Sequence, residues 1–162
     1  MTNTQTTEAR NRHLLLIDIE NLTASPAPTP SEVELIIAGL RACIPGFDHD
    51  QRIVACSHHA ARTVAFAFPR ARHIWRSGAD GADLALLDVL ETERVAERFQ
   101  RVTICSGDGI FASTAARFAA AGTDVTVVSL AGHLAARLHL AAHHVTLLFP
   151  AASPAAAMAN GA

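Results

Sequence analysis

Short, continuously apolar runs alternate along the chain with longer stretches of mixed character. The short runs predict strands over His13–Asp18, Arg52–Cys56, His73–Arg76, Val102–Cys105, Asp124–Val128 and Val145–Phe149. Between them, Ser31 with Glu34 three residues on reads as a capping box opening a helix over Glu32–Cys43. Ile44-Pro45-Gly46 stops it. A second helix is expected from about His58 to Phe66, ended before Pro69. A long one is expected from Ala82 to Phe99, its apolar stripe made by Leu86, Leu87, Leu90 and Val95. Two more follow, Phe111–Ala121 terminated by Gly122, and Leu134–Ala141. Ser25–Pro30 is a Pro-rich loop. The polar start, to about Arg12, and the Ala-rich end, Pro150–Ala162, have no such pattern and are expected to be disordered. Apolar strands separated by helices define an α/β domain, 13–149, whose parallel sheet is covered on both faces. No internal repeat or second domain is visible.

Three acidic clusters stand where apolar runs stop: Asp18-Ile19-Glu20-Asn21, Asp80-Gly81-Ala82-Asp83 and Ser106-Gly107-Asp108-Gly109. If the strands are parallel, all three lie at the carboxyl edge of the sheet, where open α/β sheets bind ligands. Carboxylates gathered there repel one another unless a cation neutralises them. Hard oxygen ligands suit Mg²⁺ or Mn²⁺, and such ions serve phosphoryl-transfer chemistry. Each residue also has a plainer explanation. Asp18 could cap the next turn, and Asp108 could belong to an ordinary Gly-rich βα turn. Asp83 taken singly is explained by the helix dipole, and Asp80 by an N-cap. Asp88, five residues after Asp83, lies about 140° round the helix and cannot share its face. Asn21 could orient Asp18, and the Ser106 hydroxyl could hold a phosphate or a water.

His58-His59 follows the second strand at the same edge and could contact phosphate or assist proton transfer, or could simply be helix-start polarity. Arg62, Arg70, Arg72 and Arg76 form a basic stretch around the third strand; any one of them is explained by a solvated surface, but together, with Arg76 foremost, they are candidate contacts to a nucleic-acid backbone. Trp75 could stack on a base but fits the core better. His143-His144 precedes a strand and so falls at the opposite edge.

Composition narrows the picture. Of 162 residues, 50% are hydrophobic and 5% aromatic, so the core is aliphatic. A net charge of −2 argues against a passive, highly basic nucleic-acid-binding module. It leaves room for a nuclease, whose acidic site offsets basic residues elsewhere. All 13 basic residues of the Lys and Arg class are Arg. Arg suits bidentate phosphate contacts, although a genome-wide codon bias would produce the same excess. Cys43, Cys56 and Cys105 are odd in number and widely spaced, which fits reduced core thiols and no disulfide frame or zinc site. The polar N-terminus lacks an apolar signal segment, and no run approaches membrane-spanning length, so a cytoplasmic location without membrane contact is expected.

Three stretches together resemble the motifs of the NYN domain family, part of the PIN-like superfamily of metal-dependent ribonucleases. They are Leu15-Leu16-Ile17-Asp18-Ile19-Glu20-Asn21, Gly81-Ala82-Asp83-Leu84-Ala85-Leu86-Leu87-Asp88 and Ser106-Gly107-Asp108-Gly109-Ile110-Phe111. The resemblance runs from about His13 to Phe149. It implies a three-layer α/β/α Rossmann-like, PIN-like fold. It also implies Asp18, Asp83 and Asp108 as metal ligands and catalytic residues, Asn21 as a support, Mg²⁺ or Mn²⁺ as cofactor and RNA as substrate. Two departures stand out. The family's third motif often carries an acid where this chain has Ile110, and its second often has a Lys before the Gly, where this chain has Asp80. Losing the fourth acid could weaken metal binding, although Asp80 or Glu20 could take its place.

Three functions compete. The first is an RNA endonuclease, acting on single-stranded or structured RNA through metal-activated water. The second is a non-catalytic domain that binds RNA or protein on the same fold, motivated by Ile110 and the modest net charge. The third, a small-molecule phosphatase or nucleotide-binding enzyme, fits poorly. Asp18-Ile19-Glu20-Asn21-Leu22 departs from the Asp-x-Asp-x-Thr/Val pattern of haloacid-dehalogenase phosphatases. No P-loop Gly-Lys-Ser/Thr is present, and no Gly-x-Gly-x-x-Gly follows the first strand. Exposed Ala-rich helices could also pair two copies into a homodimer.

Overall fold

A computed structural model describes residues 12–149. Of the expected disordered ends, 1–12 and 150–162, only Arg12 is among them, its N–H donating to Gln100 Oε1 (3.2 Å). Six strands form one parallel sheet: β1 (His13–Asp18), β2 (Gln51–Cys56), β3 (Arg72–Trp75), β4 (Arg101–Cys105), β5 (Asp124–Leu130) and β6 (His144–Leu148). Their order across the sheet is β3-β2-β1-β4-β5-β6. The helices are α1 (Ile19–Thr23), α2 (Pro30–Cys43), α3 (Ala61–Ala67), α4 (Gly81–Thr92), α5 (Val95–Arg98), α6 (Ala112–Ala120) and α7 (Ala136–Ala141), with a 3₁₀ turn at Gly109–Phe111.

Central β1 is buried along its whole length, and its alternating side chains seed two cores. Leu14 and Leu16 join Leu86, Val89 and Leu90 of α4, Phe118 of α6 and Leu138 of α7. Leu15 and Ile17 face the other way, toward Val33 and Leu40 of α2, Val64 of α3 and Phe68. The period of two that a strand imposes thus divides one apolar run between two helical layers. The result is a three-layer α/β/α fold of Rossmann-like type. The strand order reverses between β1 and β4, which makes their carboxyl ends the crevice of the sheet.

Local physics moved several element boundaries. The first long helix opens at Pro30, two residues before the expected start. Its cap is Thr29 rather than Ser31, with a capping box between Thr29 and Glu32 in place of Glu34. Proline is well placed at the first helical position because its missing N–H has no partner there. The long helix expected over Ala82–Phe99 is two helices, broken at Arg94, which takes a left-handed φ of 52°. On a straight helix Val95 would point about 140° away from Leu90. The break returns Val95 and Phe99 to the core, where both are buried. Short α1, not expected from the sequence, follows β1 directly. The three cysteines are free, as expected, with Cys56 and Cys105 buried and Cys43 half-buried. Trp75 is half-buried against the core and stacks on His73. No helix among the described residues is long and apolar enough to cross a membrane.

Candidate functional site

Asp18 is the last residue of β1, at the point where the strand order reverses. Only 3% of it is exposed. One carboxylate oxygen, Oδ1, accepts from the Asn21 N–H (3.2 Å) and so caps α1. The other, Oδ2, accepts from the Ser106 hydroxyl at the end of β4 (3.1 Å). The capping role expected of Asp18 is thus met, by a side chain that also reaches the end of β4. Asn21 does not bond back to the Asp18 carboxylate through its side chain. Its Oδ1 accepts from the Gly107 N–H (2.8 Å), fastening the β1 loop to the β4 loop. Glu20 accepts from the Ser57 N–H (2.7 Å) and ties the end of β2 to the same point.

Asp83 reaches this crevice from two strands away. It lies in the first turn of α4, after β3, but α4 packs across β2 and β1 through Leu86, Val89 and Leu90. Close packing also needs Gly81, where a Cβ would collide with the Arg76 carbonyl. Asp83 is buried, and its carboxyl stands against that of Asp18. Two carboxyl groups so placed can hydrogen-bond to each other only when one carries a proton. Burial first, then the Asp18 partner and its charge, then Asp108 and Asp80, push the Asp83 carboxyl up to about 8. Burial likewise raises Asp18, although its bonds to Asp83, Asn21 and Ser106 oppose the rise. The Asp83 Oδ1 atom is buried with no hydrogen-bond partner.

Asp108 stands in the loop after β4, half-buried. Its Oδ1 accepts from the Ile110 N–H (2.8 Å), and its own N–H donates to the Ser106 hydroxyl (3.2 Å). It acts on Asp83 as a nearby charge. Among the described residues, however, no three His, Cys, Asp or Glu side chains come close enough together to hold an ion. The contact is therefore a pair, Asp18 with Asp83, and Asp108 is near it without joining it.

A cleft of about 180 Å³ opens over the pair, lined by Asp18, Glu20, Asn21, Asp80, Gly81 and Asp83 among others. A larger hollow of about 700 Å³ lies between α2 and α3, but Glu34 is its only acid, so it gathers no carboxylates. Asp80 occupies the N-cap position of α4 in a left-handed conformation, yet its side chain makes no capping bond. It is exposed at the cleft mouth instead. His58, His59 and Arg76 are exposed after β2 and β3 at the same edge. His58 Nδ1 pairs with the Ser77 hydroxyl at 2.7 Å.

The β5–α7 connection was not singled out from the sequence, yet it borders the same loop. The Ala135 N–H donates to the Gly107 carbonyl (2.9 Å). A Cβ on Gly107 would strike the His133 carbonyl and the Ser129 hydroxyl, and one on Gly109 would overlap the Arg137 guanidinium. The available signal was the alternation itself, which places the start of every helix that follows a strand at the carboxyl edge.

No family model matches the chain, and no curated protein matches it. Among solved structures it is similar to a protein of unknown function, VPA0982, from Vibrio parahaemolyticus RIMD 2210633. The two share 15% identity over 91% of this chain and 96% of that one, with a TM-score of 0.58. A likeness at that identity bears on the fold alone.

Proposed function

We propose that this chain is a metal-dependent endoribonuclease of the NYN type, hydrolysing RNA phosphodiester bonds at the Asp18–Asp83 crevice. The observation that carries the reading is the buried carboxyl pair with an orphaned Asp83 Oδ1. Two acids held in contact out of water are costly unless a proton or a cation lies between them. The donor set is all oxygen, which fits Mg²⁺ or Mn²⁺. Asp18 and Asp83 would hold the ion, with Asp108 completing its surroundings from the β4 loop. Such an ion supplies a water of lowered pKa and neutralises charge developing on phosphate. The chain's own residues prepare the place. Ser106 and the Asn21 N–H orient Asp18, and the Asn21 side chain fixes the β4 loop that carries Asp108. The exposed His58, His59 and Arg76 lie along the same edge as contacts for the RNA backbone. The motif resemblance at Asp18, Asp83 and Asp108 supports the same reading.

Mn²⁺-dependent cleavage of single-stranded RNA tests it. Asp108→Asn is expected to abolish cleavage while the far-ultraviolet circular dichroism and thermal midpoint stay near wild type. Undiminished cleavage by that variant would sink the assignment.

One observation favours a second reading, a non-catalytic RNA- or protein-binding domain. Asp108 caps its own turn, and Ile110, which packs against the core, stands where the family often has an acid. That reading predicts no Mg²⁺ or Mn²⁺ heat in titration calorimetry. Tight binding of either ion would count against it.

A further inference from the structure

An acidic crevice repels the phosphates it is meant to cut, so an anionic substrate needs a fixed cation beside the acids. Arg76 lies on the β3 side of the crevice, and the β5 side also carries an arginine. The Arg137 guanidinium lies against Gly109, next to Asp108. A Cβ at position 109 would overlap its Nε and stand 2.8 Å from both Cζ and Nη2. Gly109 is buried and its φ is not in the left-handed region, so its backbone conformation does not call for glycine. The missing side chain instead makes the slot in which the guanidinium rests. The slot is anchored, because the segment leading into α7 is hydrogen-bonded to Gly107 through the Ala135 N–H. Arg41, Arg52, Arg72, Arg94, Arg98 and Arg117 all pair with carboxylates. Arg137 has no such partner among the described residues. Even Asp108, the neighbour of Gly109 in the chain, lies beyond salt-bridge reach of it.

We propose that Arg137, seated on Gly109, is the phosphate-binding subsite of the crevice and takes non-bridging oxygens of a substrate phosphodiester beside the Asp18–Asp83 pair. The planar guanidinium presents parallel N–H donors that match two phosphate oxygens. With Arg76 on the opposite flank, an extended single strand laid across the carboxyl edge meets a cation on each side of the acids. The proposal rests on the ribonuclease reading of the site.

The test is binding of a fluorescein-labelled single-stranded oligouridylate to the full chain in EDTA, followed by fluorescence anisotropy over a salt series. Cleavage of the same RNA in Mn²⁺ is measured alongside. Arg137→Ala is expected to weaken binding about tenfold, the effect of losing a hydrogen bond to a charged group. It should also reduce the log–log salt slope by about 0.7, one phosphate contact on a single strand. Arg137→Lys should keep the slope and lose part of the affinity. Gly109→Ala should reproduce the Arg137→Ala defect, and the double variant should be no weaker than Arg137→Ala alone. If wild type binds and cleaves RNA but Arg137→Ala matches it in affinity and slope, the subsite is wrong and the ribonuclease reading stands. Weaker binding with an unchanged slope and a lowered thermal midpoint would make Arg137 structural and also overturn the subsite. If wild type itself neither binds nor cleaves the oligouridylate, the ribonuclease reading falls and the subsite with it.

Discussion

Asp83 carries a cost to stability that grows with pH. Burial beside Asp18 pushes its carboxyl from an ordinary 3.8 up to about 8. The folded state therefore binds a proton that the unfolded chain has lost. Below the ordinary value both states are protonated and the contribution of the buried, neutral carboxyl is fully present. As pH rises through the window toward about 8, the contribution is progressively lost. Asp83→Asn removes the titration and keeps the shape. Relative to wild type it should be equally stable at about pH 4 and more stable by roughly 1–3 kcal/mol at about pH 8. Comparing the two proteins cancels groups such as His13, whose buried neutral form shifts stability in the opposite sense. Denaturant unfolding across that range checks this, and parallel curves would contradict it. Asp18, Asp83 and Asp108 were legible in the sequence because each interrupts an apolar pattern. Their pairing was not, since β3 and β1 are separated by β2 and only the path of α4 joins Asp83 to Asp18. Arg137 was hidden for a related reason: its meaning comes from the absence of a side chain on Gly109.

At the scale of elements, the caps give the sharpest test. Thr29 and Glu32 exchange hydrogen bonds across the first turn of α2. Thr29→Ala should lower stability by about 1 kcal/mol, as loss of an N-cap does. Ser31→Ala, inside the first turn, should have little effect in the same urea titration. A reversed order would mean that α2 begins where the sequence alone suggested. Strand and helix identities were readable because alternation of short apolar runs with amphipathic segments leaves few other arrangements. Boundaries were less so. The break at Arg94 uses a left-handed residue that is not glycine, so no composition signal marks it. Helix α1 exists because Asp18 turns its side chain to cap it, a tertiary consequence of the same carboxylate that faces Asp83.

For the whole molecule, the parallel sheet does the gathering. Acids from three separate chain segments, at 18, 83 and 108, arrive at one edge because every strand runs the same way and the order reverses between β1 and β4. Of the 15 acids, Asp18, Glu20, Asp80 and Asp83 line the cleft there. The central claim is that the Asp18–Asp83 pair holds a divalent cation. Anomalous diffraction from crystals soaked in Mn²⁺ at about pH 8 tests it most directly. A bound cation gives a peak at about 2.0–2.4 Å from carboxylate oxygens of both Asp18 and Asp83, the range of hard-cation bonds. An empty map at that place, with the two carboxyls still against each other, would contradict it.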